Sequence, residues 1–129
     1  MLVNYKDDYK KIAMGFLSYE PDLKDLGNLN TELQLYTNDK THKLFLYREG
    51  DANFSGVVGI ECGDTYVLVR HLSLSPAVRG GNTVDKLLDE LKKKVSPRKI
   101  MGSLENTPLI MKWEERNKEQ VDGADPSSK

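Results

Sequence analysis

The stretch LSLSPAVRGGNTVDKLLDEL, residues 72–91, passes from an apolar strand through an arginine and two glycines into a helix. A strand, a glycine-bearing turn and a helix start can cradle phosphate, because free backbone N–H groups and the positive end of the helix dipole converge there. Arg79, Gly80, Gly81, Asn82, Thr83 and Val84 would form that cradle. Just upstream stands His71, whose imidazole titrates near neutral pH and suits a general base. Its other reading is a strand histidine hydrogen-bonded to a neighbour. Glu61, on the preceding strand, is a second base by type, or else an exposed strand carboxylate. Cys62 has no activating partner in the sequence and reads as a small strand residue. His42, His71 and Cys62 stand at unrelated spacings that make no zinc pattern, so no metal is expected.

The whole composition narrows the chemistry these residues can serve. The 129 residues suffice for one domain with a modest core. Hydrophobic residues at 38% and charged ones at 30% fit a globular chain rather than a disordered or membrane one. A net charge of −1, from 19 basic and 20 acidic residues, gives no pull toward nucleic acid or an anionic membrane. The one cysteine rules out an intrachain disulfide and suits a reducing compartment. The opening MLVNYKDDYKK lacks the apolar run of a secretory signal, and cytoplasmic is the expected location.

Periodicity then supplies the elements that must position the site. LVNY reads as a short edge strand, and Tyr9, Ile12, Ala13, Phe16 and Leu17 recur at helical spacing up to Pro21. Asp22 is a candidate cap for a second helix along Leu23, Leu26, Leu29, Leu33 and Tyr36, which Gly27-Asn28 should bend or split. From Lys43 the period shortens. KLFLYR, SGVVGIEC and TYVLVRHLSL read as consecutive antiparallel strands, the last two joined by a tight hairpin through Gly63-Asp64. A helix from Val84 with Leu87, Leu88, Leu91 and Val95 follows, and KIMGSL should return parallel by a right-handed crossover. Thr107-Pro108 opens a final helix with Leu109, Ile110 and Trp113 inward. The order is β-α-α-β-β-β-α-β-α, an α/β (α+β) domain with a mixed, mostly antiparallel sheet flanked by helices. Residues 1–118 form the domain, and the polar stretch 119–129 reads as a flexible tail.

With this order, VRHLSLSPAVRGGNTVDKLLDELKK resembles the fourth strand, pyrophosphate loop and third helix of the GNAT acyltransferases, the acetyl-CoA-dependent N-acetyltransferase superfamily. The N-terminal YKDDYKKIAMGFLSYEPDLKDL, with RHLSLSP, is similar to the small RibT-type proteins encoded beside riboflavin biosynthesis enzymes. The resemblance implies acetyl-CoA (CoA) as acyl donor and an amine or other small nucleophile as acceptor. It implies the loop residues Arg79 to Val84 at the pyrophosphate. It implies main-chain groups of Leu72, Ser73 and Leu74 at the pantetheine, where the strand should splay from KIMGSL. The family's loop pattern has glycines where Asn82 and Val84 stand, and Gly80 and Gly81 come one step early. NTPLIMKWEERN resembles the helix whose tyrosine protonates the departing thiolate, but Trp113 takes the tyrosine's place, and indole cannot donate as a phenol does. The chain stops soon after that helix, leaving the acceptor side open or completed by a second subunit as a homodimer. The competing reading is a catalytically degenerate CoA-binding or protein-interaction module.

Overall fold

A computed structural model describes the backbone of residues 1–124 and the side chains through residue 118. It contains β1 (Leu2–Asn4), α1 (Lys10–Leu17), α2 (Leu26–Asn38), β2 (His42–Tyr47), β3 (Gly56–Cys62), β4 (Tyr66–Leu74), α3 (Thr83–Val95), β5 (Lys99–Gly102) and α4 (Thr107–Ala124). This is the expected order. The five strands lie in sequence order across one sheet, antiparallel except for the parallel pair β4 and β5.

Both faces of the sheet are covered, which explains why β2 and β3 read as nearly continuous apolar runs. Leu44, Leu46 and Val57 face α1 and α2, burying Ala13, Leu17, Leu29, Leu33 and Tyr36. Phe45, Val58, Ile60, Val67 and Val69 face α3 and α4 on the other side, against Leu87, Leu88, Leu91, Ile110 and Trp113. Alternate residues of one strand thus feed two separate cores.

The second helical segment divides elsewhere than expected. Pro21–Leu23 forms a 3₁₀ turn of its own, and the cap of α2 is Asp25 rather than Asp22. Asp25 Oδ1 accepts from the Asn28 N–H at 3.0 Å. A Cβ at Gly27 would stand only 3.0 Å from that same oxygen, so the glycine makes room for the cap instead of splitting the helix. Asp22 is left free for other work. At the far end, Thr107 does not cap forward: its hydroxyl donates back to Ser103 O at 2.9 Å, which ties the start of α4 to the end of β5. The backbone of α4 continues past 118 to Ala124, and the remainder of the expected tail, 125–129, lies outside the described residues.

Candidate active site

The site begins where two parallel strands part. β4 and β5 are in register from Tyr66↔Lys99 to Val69↔Gly102, after which β4 runs on through residues 70–74 without that partner. The parting coincides with a bulge. On the β3 side Ile60 pairs with Val69 and Gly59 with His71, leaving Arg70 as the extra residue. Ser103 N–H donates to Val69 O at 2.9 Å, and the Asn106 amide donates to Arg70 O at 3.1 Å. The N-terminal end of α4 therefore plugs the base of the gap. Gly102 permits this approach, since a Cβ there would meet the Asn106 backbone at 2.9 Å.

Beyond the plug, strand alternation decides which backbone groups face the gap. Ser75 N–H donates to Ser55 O on the β3 side, so period two turns Ser73 the same way and leaves Leu72 and Leu74 facing the open edge. Ser73 itself is tied on the β3 side. Its backbone belongs to the β3 ladder, and its buried hydroxyl donates to Phe16 O at 2.6 Å. Leu74 O accepts from Arg79 Nε at 3.1 Å, and the Arg79 guanidinium lies 4.7 Å from the centre of the Tyr19 ring.

The loop after β4 solves the displaced-glycine problem. The left-handed residue is Gly80, with φ +85°, in open space. Asn82 has φ −97° and ψ 13°, so it needs no left-handed tolerance, and its side chain caps nothing. Its carbonyl accepts the first helical bond, from Lys86 N–H. The N–H groups of Thr83, Val84 and Asp85 accordingly precede the hydrogen-bond ladder and lack a side-chain cap. Val84 is tolerated because it already lies in helical backbone, its side chain against the α3–α4 core. Gly80 and Gly81 bring no Cβ to the approach and Gly80 is surrounded by open space, so the turn and the free N–H groups after it fit the CoA pyrophosphate.

At the same end of the sheet, on the α1–α2 face, lies a polar cluster. The bulge puts the consecutive Arg70 and His71 side chains on one face. Arg70 forks onto Glu32 of α2 with contacts of 2.8 and 3.3 Å. His71 is buried, with Nδ1 2.7 Å from Tyr36 Oη and Nε2 3.5 Å from Asp22 Oδ2. Gly59, directly opposite His71, admits this arrangement: a Cβ there would stand 2.2 Å from Tyr36 Oη. Burial pushes the Tyr36 phenol well above its ordinary range. Asp22, Arg70, His71, Ser103 and Glu105 line a cavity of about 260 Å³.

Carboxylate oxygens of Glu20, Asp22 and Glu105 lie within 4.8 Å of one another beside that cavity. Burial pushes the Glu20 carboxyl up; the Leu72 N–H draws it down, and the charges of Asp22 and Glu105 raise it further. Leu72 thus connects this acidic group to the open edge of β4.

The other sequence candidates fall elsewhere. Glu61 shares the α2 face but is paired with His42 Nε2 at 3.2 Å and does not line the cavity. Cys62 is half-buried beside the α3–α4 core. Trp113 is buried on that core, donating Nε1–H to Asp89 of α3 at 2.9 Å. It lines a different cavity of about 450 Å³ with Ser96, Arg98 and Ile100, at the opposite ends of α3 and β5. Sequence reasoning missed Tyr36, Asp22, Glu20 and Asn106 as site residues. One signal was present: a glycine inside a strand run, Gly59, marks a close approach by something else.

Comparison with known proteins agrees with the architecture. Over 112 residues the chain is 32% identical to an uncharacterized N-acetyltransferase in the lysA 3′ region of Bacillus methanolicus, covering 86% of this chain and 92% of that protein. No family model matches. Among solved structures, a candidate acetyltransferase of the GNAT family from Bacteroides thetaiotaomicron superposes with a TM-score of 0.69 at 17% identity, covering 91% of this chain and 70% of that one. An acetyltransferase from Thermus thermophilus gives 0.65 at 13% identity, over 79% and 73% of the two chains. At such identities the structures speak for the fold, and the Bacillus relative speaks for the family. The chain belongs to the GNAT acetyltransferase superfamily.

Proposed function

We propose that the protein transfers the acetyl group of acetyl-CoA to a small amine. The parting of β4 from β5 at Val69–Gly102, with the uncapped start of α3 at the same end of β4, carries this reading. The first turn of α3 with Gly80 and Gly81 would hold the pyrophosphate, and the main-chain groups of Leu72 and Leu74 on the open edge would hold the pantetheine amides once Glu20 releases the Leu72 N–H. Arg79 must leave Leu74 O for this, a side-chain rotation about an exposed loop. The amine enters by the cavity beside His71, where Glu20, Asp22 and Glu105 favour a positively charged acceptor.

When bound, acetyl-CoA supplies an activated thioester. The amine lone pair attacks its carbonyl carbon, the C–N bond forms, the C–S bond breaks, and the thiolate leaves with the electron pair. On the resemblance of the N-terminal sequence to RibT-type proteins, amine intermediates of riboflavin biosynthesis are the first acceptors to try. A second copy of the chain is the proposed closure of the acceptor side, over the exposed Met101, Leu104 and Met111. Sedimentation of the free protein decides it: a strict monomer would overturn the dimer.

Calorimetric titration with acetyl-CoA, then a CoA-release assay over an amine panel, tests the main reading. Binding with release on one or more amines is expected. Binding without release on any amine would favour the degenerate CoA-binding module, and no binding would place the cradle elsewhere.

A further inference from the structure

Resting on this acetyl-transfer reading, we infer that His71 is held with its ring proton on Nε2, directed at Asp22, so that Asp22 rather than the imidazole takes the proton from the incoming amine. The Tyr36 hydroxyl carries one proton, and the nitrogen at 2.7 Å from its oxygen is His71 Nδ1. Burial keeps the phenol protonated, so this hydroxyl is a donor that needs an acceptor. Arg70, whose guanidinium lies 5.6 Å from the Tyr36 ring centre and is fixed by Glu32, has only donors to offer. A proton on Nδ1 would leave the buried Tyr36 O–H facing another donor, with its hydrogen bond unmade. The Nδ1 lone pair therefore receives it, and the neutral ring carries its proton on Nε2.

That leaves no imidazole lone pair toward the cavity. Nε2 instead lies 3.5 Å from Asp22 Oδ2, and both residues line the cavity wall. The titratable and charged groups around the pair are Tyr36 and Glu32 from α2, Arg70 from β4, Glu20 and Asp22 from the turn after α1, and Glu105 before α4. Asp22 is about half exposed and, when ionised, accepts only. The acceptor ammonium loses a first proton to water before it attacks; once the resulting neutral amine has formed its C–N bond, the nitrogen is again positively charged and its N–H far more acidic than in the free ammonium. A carboxylate suffices to remove that proton as the thiolate departs. His71 is then a positioning residue for Asp22.

The variants separate the two roles. Glutamine at 71 can accept from Tyr36 with its carbonyl and donate to Asp22 with its amide, but it cannot take up a proton. His71→Ala should lower kcat more than about tenfold, and His71→Gln should recover most of that loss. Asp22→Asn should cost about a hundredfold or more in kcat. Nitrogen-15 shifts of the resting protein should show a proton-free Nδ1 and a protonated Nε2, without any turnover. A His71→Gln variant no better than His71→Ala, an Asp22→Asn variant near wild type, or a proton on Nδ1 would each overturn the inference. Wild-type protein that releases no CoA with any amine would instead remove the acetyl-transfer reading, while the nitrogen-15 spectrum still decides the tautomer.

Discussion

Gly59 lacks a side chain because the Tyr36 hydroxyl stands where one would be. Gly59→Ala must therefore push Tyr36 off its hydrogen bond to His71 or bend the middle of the sheet. A loss of about 1–3 kcal/mol is expected from such overpacking, read by urea unfolding. Wild-type stability would mean that Tyr36 is not seated there. A carboxylate gives the opposite sign. Glu20 is held above its ordinary value of 4.5 by burial and by its acidic neighbours, so the folded state binds a proton more readily than the unfolded one. Its ionised form costs stability at neutral pH, and the cost vanishes as pH falls below the unfolded value. Glu20→Gln should stabilise the fold at pH 7 by no more than about 0.5 kcal/mol, because solvent screens a half-buried charge, and this should show as a higher melting temperature. The gain should disappear near pH 4. A variant less stable than wild type at pH 7 would show that the Leu72 N–H outweighs the repulsion.

The turn between β4 and α3 behaves as one device. Gly80 supplies the left-handed backbone, Gly81 and Asn82 lead into the helix, and the first N–H groups of α3 are left without a cap. Gly80→Ala should cost about 1–2 kcal/mol, the penalty of placing a Cβ in that conformation, although space is open around it. Gly81→Pro removes a donor and fixes φ, and should abolish CoA binding in a calorimetric titration. Arg79→Ala should weaken binding only modestly, because its guanidinium occupies Leu74 O and the Tyr19 ring in this structure. The reverse ranking, with Arg79→Ala the more damaging, would make the side chain rather than the backbone the principal phosphate ligand. From the sequence, the turn could be placed but not its conformation. Which glycine takes positive φ depends on where helical bonding starts, and Asn82 O settles that by accepting from Lys86.

Across the molecule, what was legible followed the distance over which its cause acts. The order of elements could be read because apolar spacing changes locally, from the helical stripe ending at Tyr36 to the strand runs after Lys43. The bulge at Arg70 could not, since it is a property of two strands in register. Without it, strict alternation would turn Arg70 and His71 opposite ways. Tyr36 was readable as a core residue, and it is one, but its hydroxyl meets a histidine 35 positions away. Asp22 looked like a cap until Asp25, three residues later, took that work. Trp113 illustrates the same limit. The motif on α4 put it in the place of a thiolate acid, whereas the structure buries it between α3 and α4 with its indole on Asp89. Its neighbours Ser96, Arg98 and Ile100 belong to the end of α3 and the start of β5, away from both the loop and His71. A phenol at this position would then have no thiolate to protonate. Trp113→Tyr should leave kcat for CoA release unchanged while lowering stability by about 1–3 kcal/mol, through lost volume and a weakened bond to Asp89. The measurement is CoA release with one working amine beside a melting curve on the same sample. A clear gain in kcat would mean that α4 turns this face toward the gap during turnover. The thiolate would then leave with help that this resting geometry does not offer.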